Sequence, residues 1–150
     1  MTDPQAAPSR RPRLVDIAFW CFIVGAVIMI VGGLMAGATD YDTARAVLPS
    51  TFSDDQVQNY LTLYRASGIG SAVAGVALAF LAGRTRRGDG RFRLALLGLV
   101  FATFVVVVML ALGFGVAQPV VLLSLLPVLV GSALLTMPAA RTWFESEGHL

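Results

Sequence analysis

Ser67, Gly68, Gly70 and Ser71 open a stretch, SGIGSAVAGVALAFLAG (67–83), whose glycines and hydroxyls are the residue types of a phosphate-binding turn. Such turns hold phosphate because unpaired backbone N–H groups point at the anion. A dinucleotide-binding turn needs G-x-G-x-x-G between a strand and a helix, and here Val73 stands where the third glycine belongs. A P-loop needs lysine, and all 11 basic residues are arginine. A serine nucleophile needs a neighbouring base, yet Ser67, Ser71, Ser124 and Ser132 have no histidine or lysine near them in the sequence. One histidine (His149) and one cysteine (Cys21) do not make a ligand set for haem, zinc or copper, nor an internal disulfide. Tyr60, Tyr64 and the aspartates at Asp40, Asp42, Asp54 and Asp55 have no catalytic spacing. The expectation is a chain with no catalytic residues, no cofactor and no metal.

The elements around these residues explain the glycines differently. Of 150 residues, 57% are hydrophobic and 13% charged, with a mean hydropathy of +0.77. One small soluble core cannot absorb so much apolar surface. Four charge-poor runs, at 14–38, around 67–83, at 94–117 and at 119–137, are each long enough for a hydrocarbon core of roughly 30 Å. The fold class expected is all-α: a polytopic membrane protein with four transmembrane helices spanning 14–140, a flexible tail over 1–13 and a second tail over 141–150. The first run is too long for a cleavable signal core and is read as a retained anchor. Four spans place both termini on one side.

Arginine says which side. Arg10, Arg11 and Arg13 precede the first run, Arg84, Arg86, Arg87, Arg91 and Arg93 fill the loop between the second and third, and Arg141 follows the fourth. Cytoplasmic loops keep such an excess, so both termini are expected in the cytoplasm, with the acidic first loop outside a plasma membrane. A pI near 9.2 reflects this bias, without the aromatic-interleaved basic surface of a nucleic-acid binder. The five loop arginines, Arg84 to Arg93, are candidates for anionic lipid head groups such as cardiolipin. Trp20, Tyr60 and Tyr64 fit interfacial belts. Asp16, the one acid in the first run, lies in its first turn, where it complements the helix dipole with Arg13 one turn away. The rest of the four runs has no Asp, Glu, Lys, Arg or His.

Local signals fill in the connections. Asp40 or Asp42 starts a short external helix that Pro49 ends. Ser53 and Gln56 form a capping box, so the second membrane helix is expected to begin outside the bilayer and run into it unbroken. Gly98 and Ala102 offer a small contact on the third run. Pro119 suits a first helical position, and Pro127 should kink the fourth helix, with Ser124 placed to help the freed backbone.

Residues four apart share a helix face, which aligns Ser67, Ser71, Gly75, Ala79 and Gly83; the first run answers with Gly33 and Gly37, beside Gly32 and Ala36. In lipid, small residues drive helix association by letting backbones approach. Two uses remain open: a hairpin of the first two spans, or a dock for a helix of another protein.

RPRLVDIAFW before the first span, the acidic loop leading to YRASGIG, and GRTRRGDGRFR together resemble the small four-span membrane proteins of actinobacteria. These include accessory subunits found with the cytochrome bcc-aa3 respiratory supercomplex. The resemblance implies a non-catalytic subunit that packs on the cytochrome c oxidase core and touches lipid, with no haem or copper ligands of its own. The alternative is a small transporter or lipid flippase acting as a homo-oligomer. Four short spans are shared with the small multidrug resistance transporters, but the glutamate those depend on in their first span has no counterpart here.

Overall fold

The computed structural model describes residues 12–116 and 118–147, and among these there is no strand. Arg10, Arg11, His149 and most of the N-terminal tail lie outside the described residues. Six helices follow in order: α1 (Arg13–Gly37), α2 (Tyr41–Val47), α3 (Asp54–Thr85), α4 (Gly90–Gly113), α5 (Pro119–Thr136) and α6 (Pro138–Glu147). Four of them, α1, α3, α4 and α5, are long and apolar enough to cross a membrane.

Each boundary has a local cause. Pro12 precedes α1, and Asp16 lies in its first turn. The Asp40 carboxylate accepts the Thr43 N–H at 2.9 Å and starts α2. The expected capping box forms at α3: Gln56 N–H donates to Ser53 Oγ at 3.3 Å, and Ser53 N–H donates to Gln56 Oε1 at 2.9 Å. From there α3 runs 32 residues without a break, about 48 Å at 1.5 Å per residue. That exceeds a bilayer core by several turns, so its first turns pack instead with α2 around Ala44, Val57 and Leu61. Helix α4 stops at Gly113, four residues before the expected end, because Gly115 takes a left-handed φ of +64°. That lets Val116 N–H reach back to Leu110 O at 3.0 Å, closing the helix end with a glycine turn.

Helix α1 is the centre of the bundle, packed against α3 on one side and α5 on the other, while α4 leans on α3 and touches α5 lightly. Glycine makes both approaches of α1 possible. A Cβ at Gly33 would collide with the Gly68 carbonyl, and one at Gly68 would lie 2.6 Å from the Gly33 carbonyl and 2.9 Å from the Gly37 amide. Toward α5, Gly25 faces Val128 and the Ser124 carbonyl, and Gly32 faces Val120. Pro119 takes the first position of α5, and Pro127 lies inside it. Ser124 is buried but donates to Val121 O. It therefore does not serve the carbonyl of Leu123, the one four residues before Pro127 that loses its donor.

Pro138–Glu147 fold as a helix, over much of the stretch expected to be a tail from 141. Ala140, Trp143 and Phe144, at i, i+3 and i+4, turn inward against a core that includes Leu96 and Leu135. That spacing was the available signal.

Candidate functional site

The small residues of α3 divide between two neighbours. At 3.6 residues per turn, a step of four overshoots a full turn by about 40°, so Ser67 to Gly83 winds through roughly 160° and cannot hold one face. The face that meets α1 is instead Gly68, Ala72 and Gly75, with steps of four and three: a Cβ at Gly75 would stand 2.9 Å from the Ala26 carbonyl. Ala79 packs at the edge of the main core. Ser67 and Ser71 turn toward α4 and α5, and Gly83 has open space where a side chain would project. Of the α1 residues, Gly33 is enclosed, and Gly37 has only Ile69 Cγ1, at an ordinary 3.5 Å. Gly98 is open, whereas Ala102 lines the space between α3 and α4.

The arginine-rich end is built by the N-termini of α1 and α4, the C-termini of α3 and α5, and α6. Asp16 pairs with Arg86, Oδ1 to Nε 2.9 Å, a partner 70 residues away that the sequence does not announce. The Arg86 guanidinium also stacks 4.6 Å above the Phe19 ring. Arg86 thus ties the start of α1 to the end of α3. The pair is about two-fifths exposed, so its net worth is small, at most about 1 kcal/mol. Arg84 lies between the rings of Phe80 and Phe92, at 5.5 and 5.7 Å, and Arg93 over Phe144 at 5.4 Å. Arg84, Arg87 and Arg91 are exposed. Trp20 projects from α1 with 59% of its surface exposed, set edge-on to Phe19.

At the opposite end, Tyr60 and Tyr64 stack at 5.9 Å on one face of α3. Two polar tethers here were not anticipated. Arg65 Nε donates to Thr39 O at 2.7 Å, binding α3 to the end of α1. Gln118, just ahead of α5, donates through Nε2 to Tyr64 O at 3.1 Å and to Ser67 Oγ at 2.6 Å. Its side chain is 7% exposed, and its Oε1 has no hydrogen-bond partner among the described residues. A polar residue in a short connection between spans reads as solvated loop, so only the tertiary fold exposes this role.

Two recesses open between helices. A shallow groove of about 570 Å³ runs along α1 and α3, lined by Ile30 and Leu34 of α1 and by Ala72, Val73, Val76, Ala77 and Phe80 of α3. A cleft of about 340 Å³ lies between α3 and α4, with Gly70, Ser71 and Ala74 facing Ala102, Thr103 and Leu110. Neither is lined by a charged side chain. No family model matches the chain, and no curated protein or solved structure matches it.

Proposed function

We propose that the chain is a non-catalytic accessory subunit of a larger integral-membrane assembly, held in the plasma membrane with its arginine-rich end in the cytoplasm. The observation that carries this is the groove between α1 and α3. It is a shallow apolar surface in which the small residues Ala72 and Ala77 lie among the bulky side chains of Leu34, Val76 and Phe80, the mix on which the ridge of another transmembrane helix can seat. In lipid, where burial of apolar surface supplies no drive between helices, such fit determines association. The glycine face of α3 is consumed by α1, so this groove is the surface offered to a partner. The oxidase of the cytochrome bcc-aa3 supercomplex is the assembly to test first, because the sequence resemblance names it. Arg84, Arg87 and Arg91, all exposed, then meet anionic phospholipid, cardiolipin included.

Affinity purification from membranes in a mild detergent tests the reading. Oxidase subunits should co-purify with the tagged chain and be lost with Ala77→Phe, which fills the groove. Recovery of an isolated monomer or homodimer alone would overturn it. A transporter would draw on Asp16 as its ion-coupled acid, and Asp16 is paired with Arg86 at the end of α1.

A further inference from the structure

We infer that the cleft between α3 and α4 is a binding site for a neutral long-chain amphiphile whose head group carries a hydroxyl, of the mono- or diacylglycerol kind. This does not depend on the partner assembly, since the site lies on a different face from the α1–α3 groove.

The first argument is position. From Ser67 to Ala74 on α3, and from Leu110 back to Ala102 on α4, the cleft runs about 10–12 Å along the helices. Its volume of about 340 Å³ lies at the lower end of small-molecule sites. Its walls are almost wholly apolar, with small residues where a chain would lie. One end is lined by Ser67, whose Oγ accepts a hydrogen bond from Gln118 Nε2 of the loop before α5. A polar end and an apolar trough is the layout of a head group and its chain.

The second argument is hydrogen bonding. The hydroxyls at this end are spent on their own helix: Ser67 donates to Tyr64 O at 2.9 Å and Ser71 to Ser67 O at 2.9 Å. Gln118 spends its Nε2 hydrogens on Tyr64 O and Ser67 Oγ, which fixes Oε1 as the free atom. Gln118 stands between a recess of about 160 Å³ beside Thr39 and Pro119 and a small space of about 20 Å³ that shares Ser67, Ser71 and Leu110 with the cleft. A buried acceptor left unpaired costs more than an ordinary hydrogen bond returns. What this end lacks is a donor. An ester or ketone cannot supply one, a hydroxyl can, and the absence of a charged lining residue selects a neutral head over a phosphate.

The test uses the full-length protein in phosphatidylcholine vesicles with a monoacylglycerol whose chain carries a diazirine. Illumination should crosslink it to residues 66–74 of α3 and 102–110 of α4. Monoolein should compete roughly three- to tenfold better than methyl oleate, which has the same chain and no donor. Gln118→Met should abolish that preference while leaving crosslinking in place, and Ala74→Leu with Ala102→Leu should suppress crosslinking. Equal competition by the two oleates in the wild-type protein would overturn the proposal, as would label spread evenly over Phe101 and Met109 on the outer face of α4. A lone water in the 20 Å³ space would give that equal competition. The wild-type comparison stands even if a variant misfolds.

Discussion

Gly33 and Gly68 meet backbone to backbone, and neither position has space for one methyl group. Gly83, on the same helix as Gly68, has nothing within 4 Å of where its Cβ would be. The two kinds of glycine therefore respond oppositely to alanine. Gly33→Ala should destabilise by about 1–3 kcal/mol through overpacking. Gly83→Ala should be neutral or stabilise by up to about 1 kcal/mol, the helical cost of glycine being relieved. Thermal unfolding in dodecyl maltoside, followed by tryptophan fluorescence, checks both; equal losses would mean that close approach is not what Gly33 is for. Small-residue content was legible in the sequence, but its use was not. A spacing of four winds around a helix, so Gly68 and Ala72 were passed over for Ser67 and Ser71. Gln118 left no trace at all, because an unpaired acceptor is a property of the assembled fold.

At the scale of elements, helix starts were the most readable feature, because a cap is a local bargain between a side chain and N–H groups two or three residues on. Asp40 and the Ser53–Gln56 box fulfil theirs. The link between α2 and α3 is tertiary: Tyr41 OH donates to the Asp54 carboxylate at 2.9 Å. That hydrogen bond holds the Tyr41 hydroxyl above its ordinary pKa of 10.0, while the hydrogen bonds from Thr43 hold Asp40 below 3.8. The signs follow. Asp40 supports α2 above pH 3.8, and this support fades as pH falls through its lowered value. Tyr41 supports it below pH 10, and this support fades as pH rises through its elevated value. Ultraviolet difference titration of the wild type against Tyr41→Phe should place the Tyr41 midpoint above 10.0, and Asp54→Ala should bring it down. An unchanged midpoint in Asp54→Ala would remove the bond as the cause.

For the whole molecule, the number of spans was legible and their arrangement was not, for one physical reason. Lipid is as apolar as a protein core, so the buried and lipid-facing sides of a membrane helix look alike in sequence. Phe22 and Met29 are buried on α1, while Val24, Val27 and Val31 on the same helix are about half exposed. Hydropathy therefore counts helices without saying that α1 is central and α4 peripheral. Orientation rests on a different signal, the arginines gathered at one end. The fold places Ser50, near α2, and Arg91, at the start of α4, at opposite ends of the bundle. In a Cys21→Ser background, Ser50→Cys should react with a membrane-impermeant maleimide added to intact spheroplasts, and Arg91→Cys only after permeabilisation. The reverse pattern would invert the molecule and turn its arginines away from the anionic lipid of the cytoplasmic leaflet. Labelling of both from outside would break the four-span topology itself, since the single crossing of α3 must separate these two positions if it spans the bilayer.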